Sequence, residues 1–328
     1  MKNKTILWIA VGALVLALLT GGLPLFSRLV FHRSLQATLL ARQFEKRIYT
    51  TGEAFREYLG EKRIENDAPY LIPPSADPTV SLSMLLAGDM QIYTLNGPAE
   101  PDAMVIWYFP GGAYIDQPAE SHWRFLNQLA EDTGAMIVVP IYPKLPSNDA
   151  SDAYAALTEA YKELSGSNRG DLVFMGDSAG GGMALSFAMQ LRDAGMDGPD
   201  KLILLSPWVD VTMEGADYDE YEKRDPILNR ERLRQLGLLW ADDLDPADPV
   251  VSPLYGDLTG LGEIWFFATD GELLYPDLMR FDTALDEAGA AHEMIERQFL
   301  FHCWPLFAYM DIPESQEAYS EIVIILQK

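Results

Sequence analysis

Five short apolar runs, Met104–Phe109, Ala135–Val139, Leu172–Met175, Lys201–Leu205 and Ile264–Ala268, are near-continuous rather than alternating. Strands buried on both faces of a parallel sheet read this way. Between the runs, apolar residues recur at helical spacing over Ser121–Glu131, Asp152–Leu164, Met183–Ala194 and Leu274–Ala288. The pattern predicts crossover helices on both faces of a mostly parallel sheet, a doubly wound α/β unit over residues 90–328. A last strand is expected at Glu293–Ile295, followed by a final helix. Residues 207–262 break the alternation with Pro226, Pro246, Pro249 and Pro253 and a helical piece near Arg230–Trp240. Such an insert is expected as a helical cap over the strand C-termini, where ligands bind.

Upstream, Leu35, Leu39, Leu40, Phe44 and Ile48 predict a helix over residues 34–62, and Pro73-Pro74 and Pro78 end it. Residues 28–89 thus read as a helical linker or cap segment. Thr5 to Ser27 contain no ionisable side chain, long enough for one membrane-spanning helix. A cleaved signal peptide is the alternative, because Lys2 and Lys4 precede the apolar run and Thr20-Gly21-Gly22 follow it. The run continues through Leu23, Leu25 and Phe26, so the expectation for residues 1–27 is a retained single-pass anchor and a membrane protein, secreted if the segment is cleaved. Lys2 and Lys4 before the span are matched by Arg28 and Arg33 after it, so the positive-inside count does not choose a side.

The formal net charge is −25, unevenly distributed. Residues 1–63 hold 10 Lys and Arg against 4 Asp and Glu, which leaves 14 against 45 for the rest. A field of that sign repels nucleic acid and other polyanions and favours neutral substrates. The single cysteine, Cys303, excludes an intramolecular disulfide and a cysteine-based zinc site, and reads as a small buried packing residue.

Chemistry concentrates at Gly176-Asp177-Ser178-Ala179-Gly180-Gly181-Gly182, between a strand-like run and a helix-like one. A serine at so tight a strand-to-helix turn has its hydroxyl pushed out of the packing, and the glycines let strand and helix approach. An acyl-transfer serine also needs a base, a carboxylate to orient the base, and N–H donors for the oxyanion. Gly111 and Gly112 end the strand run Trp107-Tyr108-Phe109-Pro110, and with Ala179 they form a three-donor oxyanion hole. Of four histidines, His32 abuts the apolar segment, His122 begins a helix well before Ser178, and His292 opens a strand. His302 lies after the last strand, as the chain order serine, acid, histidine requires. Asp270, Glu272 and Asp277 follow the strand run Ile264–Ala268 and compete for the acid.

These motifs together resemble the bacterial hormone-sensitive-lipase-like carboxylesterases of the α/β-hydrolase fold, over roughly residues 100–326. The match rests on Gly176-Asp177-Ser178-Ala179-Gly180-Gly181, on the oxyanion loop at 110–113, and on Tyr142-Pro143-Lys144-Leu145-Pro146. Ser206-Pro207-Trp208-Val209-Asp210, Ser252-Pro253-Leu254-Tyr255 and His302-Cys303-Trp304-Pro305-Leu306 add to it. The resemblance implies Ser178 as nucleophile, His302 as base and Glu272 in the acid slot, acting on small neutral esters of short-to-medium acyl length. No metal or organic cofactor is implied. Two positions depart from the family pattern: Pro110 stands where a histidine usually precedes the oxyanion glycines, and the acid is Glu rather than Asp. Two other readings use the same residues: an amidase or peptidase, and a membrane-tethered binding module in which Pro110 marks lost catalysis.

Overall fold

A computed structural model of the chain describes residues 21–44, 52–97, 102–164, 170–215 and 217–328. Its strands are β1 (Leu82–Ala87), β2 (Met90–Leu95), β3 (Val105–Phe109), β4 (Met136–Pro140), β5 (Leu172–Asp177), β6 (Lys201–Leu205), β7 (Glu263–Ala268) and β8 (His292–Glu296). Its helices are α1 (Leu23–Phe31), α2 (Leu35–Ala41), α3 (Gly52–Asn66), α4 (Glu120–Thr133), α5 (Ala150–Leu164), α6 (Ala179–Asp193), α7 (Asp219–Arg224), α8 (Arg230–Ala241), α9 (Tyr275–Ala288) and α10 (Pro313–Leu326).

The strands form one eight-stranded sheet in the order β1-β2-β4-β3-β5-β6-β7-β8, antiparallel at β1/β2 and β2/β4 and parallel from β4 onward. Successive residues of one strand feed opposite cores, which is why the apolar runs do not alternate. Val105, Trp107 and Phe109 pack on one face with Phe174 and Phe187. Ile106 and Tyr108 pack on the other with Trp123, Val173 and Met175. Helix α6 behind the elbow is buried over most of its length, and its small first residues let it sit close to the sheet. A Cβ on Gly180 would come 1.9 Å from the Phe109 carbonyl oxygen, and one on Gly176 would come 2.4 Å from that of Gly180.

The structure corrects three expectations. Residues 82–95, partly assigned to the helical linker, form the β1/β2 hairpin that extends the sheet. Leu82, Met84, Leu85 and Leu86 on this outer strand are exposed, so the run lacks the alternation that marks a half-buried strand. The single helix over 34–62 is instead α2 and α3, with residues 42–44 out of the helix and 45–51 outside the described residues. Ser34 caps α2 by accepting the Ala37 N–H.

The single-pass anchor and the membrane localisation are the third correction. No helix among the described residues is long and apolar enough to cross a membrane. The described end of the expected span, residues 21–27, runs into α1. Ser27 there is buried and hydrogen-bonds Thr38 Oγ1 of α2 at 2.7 Å. Residues 1–20, the remainder of the expected span, lie outside the described residues.

Candidate active site

Parallel pairing of β3 with β5 sets Phe109 beside Gly176, so the loop leaving β3 and the turn leaving β5 start from the same level of the sheet. Ser178 occupies that turn with φ 51° and ψ −123°, a conformation that side chains other than glycine avoid. Its backbone is held on both sides: Ser178 N donates to Leu205 O at 2.9 Å, and Trp208 N donates to Ser178 O at 2.8 Å. Strain at a serine pinned this way is the geometry of a nucleophile elbow.

The structure brings His302 and Glu272 together. His302 Nδ1 lies 2.6 Å from Glu272 Oε2, and both side chains are buried. With Nδ1–H donated to the carboxylate, Nε2 carries the lone pair, and this atom is buried without a hydrogen-bond partner among the described residues. Glu272 Oε1 accepts from Ser206 Oγ at 3.0 Å and from Thr269 N at 3.2 Å, so the extra methylene of glutamate is accommodated with both oxygens satisfied. Burial pushes the Glu272 carboxyl up despite the bonds from His302 and Ser206. At His302 burial disfavours the charged ring, but the hydrogen bond and charge of Glu272 outweigh it, and the net displacement is upward from 6.5.

The competing carboxylates are engaged elsewhere. Asp270 Oδ1 accepts the Phe299 N–H at 2.5 Å and so closes the loop that carries His302. Asp277 accepts from Tyr218 Oη and Arg280 and is pushed up to about 7, first by burial and then by the charge of Asp210.

One predicted oxyanion donor is corrected. Gly111 N donates to Asp177 Oδ1 at 2.9 Å, so this N–H buttresses the loop instead of standing free. Gly112, Ala113 and Ala179 have no acceptor for their N–H groups among the described residues. Gly112 has φ 127°, and a Cβ there would meet Asp116 O at 2.7 Å, so no other residue fits this turn. Ala113 and Tyr114 follow with φ 51° and 61°, both in the left-handed region, and Ile115 N closes the turn on Gly112 O at 3.0 Å. Tyr142 Oη donates to Pro110 O at 2.7 Å and holds the start of the loop.

Several supporting residues carry little signal in the sequence. Asp225, in the insert, accepts Leu273 N at 2.8 Å, the residue after Glu272, and also Ile227 N and Leu228 N. Ser206 donates to Glu272 while accepting Cys303 N at 3.2 Å, tying the acid to the histidine loop. Its place in a motif beside Pro207 and Trp208 was the only cue. Cys303 is buried, its thiol pushed well up by burial and by the charges of Asp177 and Glu272. Of the histidines set aside, His292 lies on β8 as expected, whereas His122 contacts the elbow motif at Asp177.

Residues 106–306 match the family model described as the alpha/beta hydrolase fold. An acetyl-hydrolase from Streptomyces hygroscopicus is 30% identical over 67% of this chain and 74% of its own. A Staphylococcus aureus protein designated an esterase superposes with a TM-score of 0.76 at 27% identity, covering 85% of this chain and 94% of that one. An esterase from the bacterial hormone-sensitive lipase family superposes at 0.68 with 24% identity over 84% and 98%, a likeness of fold.

Proposed function

This chain belongs to the α/β-hydrolase fold family, as a carboxylic ester hydrolase of its esterase and acetyl-hydrolase branch, and from that premise we propose that it works through Ser178, His302 and Glu272 by way of an acyl-enzyme. His302 Nε2 takes the Ser178 hydroxyl proton as Oγ attacks the ester carbonyl, and Glu272 holds the ring in the required tautomer and stabilises the imidazolium that forms. The N–H groups of Gly112 and Ala179, with Ala113 N–H in place of that of Gly111, stabilise the oxyanion. The imidazolium then protonates the leaving alkoxide. Water, deprotonated by the same nitrogen, attacks the acyl-enzyme and releases the acid.

The observation that carries this reading is the buried His302, bonded through Nδ1 to Glu272 at 2.6 Å and left with an Nε2 that has no partner among the described residues. A buried imidazole nitrogen without a partner is costly unless a hydroxyl or substrate meets it. Hydrogen bonds of this kind commonly tighten only when substrate is present. The substrate class is a neutral ester of short-to-medium acyl length, in keeping with a net charge of −25 and with the small acyl group in the name of the Streptomyces acetyl-hydrolase.

Hydrolysis of p-nitrophenyl esters of graded length, beside matched anilides and beside Ser178→Ala, tests the reading. The wild type is expected to cleave the shorter esters in preference to the anilides, and the alanine variant to lose at least about 10³-fold in kcat. Equal rates for the two proteins, or a preference for anilides, would overturn it.

A further inference from the structure

The oxyanion loop begins at Pro110, which offers neither a side-chain hydrogen bond nor an N–H. The loop is nonetheless clamped, and the clamp starts at a histidine twelve residues further on. In the first turn of α4, Ala119 N donates to His122 Nδ1 at 2.9 Å. That bond occupies the Nδ1 lone pair, so the ring proton sits on Nε2, which faces Asp177 Oδ2 at 3.2 Å. The other oxygen of the same carboxylate accepts Gly111 N at 2.9 Å and Tyr108 Oη at 2.7 Å. His122, Asp177 and Tyr108 are 7%, 4% and 0% exposed, so water does not substitute for any of these bonds. Burial works against the Asp177 charge, but His122, Tyr108 and Gly111 outweigh it and hold the carboxyl below its ordinary value.

We propose that His122 is a positioning residue for ester hydrolysis: through Asp177 it holds Gly111, and so fixes the turn whose next N–H groups, Gly112 and Ala113, receive the oxyanion. The proposal rests on the Ser178 reading above. Asp177 Oδ2 has His122 as its donor, whereas Oδ1 has two donors. Without the imidazole, a buried carboxylate oxygen loses its donor, which is costly for a charged group shielded from water. Rotating or protonating the carboxylate relieves that cost, and either change loosens its hold on Gly111. The turn downstream holds Ala113 and Tyr114 in the left-handed region, and is expected to relax once its first residue is released. Among the described residues His122 forms no hydrogen bond with Ser178 or His302, so its effect reaches them through Asp177.

The experiment compares wild type with His122→Phe, His122→Gln, Tyr108→Phe and Ser178→Ala. The readouts are kcat and KM on a p-nitrophenyl ester, inhibition by an alkyl trifluoromethyl ketone, and the thermal midpoint. A ketone of this type forms a tetrahedral oxyanion on the serine and so reports the donors directly. His122→Phe is expected to lose about 10–100-fold in kcat with KM within about threefold, and ketone inhibition is expected to weaken by the same factor. Glutamine can place an amide N–H near the Nε2 position and is expected to restore most of both. A folded His122→Phe that keeps kcat and ketone inhibition overturns the proposal while leaving Ser178 in its role. Hydrolysis that persists in Ser178→Ala removes the underlying reading and the proposal with it. If the phenylalanine variant does not fold, Tyr108→Phe decides, since it removes one donor to the same carboxylate without changing volume. A parallel fall in kcat and ketone inhibition supports the clamp, and no change in either overturns it.

Discussion

His302 carries two opposed influences that a rate measurement can separate. Burial disfavours the imidazolium, and the Glu272 carboxylate at 2.6 Å favours it more strongly, so its pKa lies above 6.5. Ester cleavage needs the neutral ring, so activity falls as the pH drops through that raised value. The acid limb of kcat/KM is therefore expected above pH 6.5. Glu272→Gln removes the charge that raises it, and is expected to move the limb downward and lower kcat by roughly 10²–10⁴-fold. A limb that does not move in Glu272→Gln contradicts the pairing. At this scale the sequence was informative where chemistry and chain order coincide. Ser178 and His302 could be singled out from the elbow and from the position after the last strand. The choice among Asp270, Glu272 and Asp277 could not be made from spacing, because all three follow the same strand. The Phe299 N–H at Asp270 and the Tyr218 hydroxyl at Asp277 come from segments distant in sequence.

At the scale of elements, the site consists of what happens at strand ends. The β3 loop and the β5 elbow are neighbours because their strands pair in register; apolar runs made the strands and their parallel character legible, but not their order. Hydrogen-bond direction within the loop was not legible. Two adjacent glycines look alike in sequence, yet Gly111 N–H points to Asp177 while Gly112 N–H has no acceptor among the described residues. Gly112→Ala tests the turn: its Cβ would meet Asp116 O at 2.7 Å, at a φ of 127°. The variant is expected to lose about 1–3 kcal/mol of stability and roughly 10²-fold in kcat, measured by urea unfolding and steady-state kinetics. A variant with native stability and rate would show that the turn does not depend on glycine at this position. The β1/β2 hairpin escaped the pattern for a different reason: an exposed edge strand has no buried face to impose a period of two.

Across the whole molecule, the residues of the site come from segments more than 190 positions apart, gathered beyond the C-terminal ends of β3, β5, β7 and β8 in a single sheet. The N-terminal segment is tied to the same body. Arg33 donates to Phe299 O at 3.0 Å, Lys62 pairs with Asp116 at 2.7 Å beside the oxyanion turn, and Arg232 of α8 donates to Tyr58 of α3 at 2.6 Å. An apolar, uncharged start to the chain suggested a membrane span because composition carries no information about partners; Ser27, Ser34 and Thr38 show that part of it packs on its own neighbour. The central claim is that the gathered residues act as one acyl-transfer centre at Ser178. Intact-mass and peptide mass spectrometry, after rapid quenching of the full chain with a p-nitrophenyl ester, tests this most directly. The account predicts a transient mass increase equal to the acyl group, localised to the peptide bearing Ser178, absent in Ser178→Ala and longer-lived when His302 is replaced by alanine and the ester is sufficiently activated. An acyl group found on another residue, or ester turnover with no adduct at Ser178 under any quench time, would contradict it.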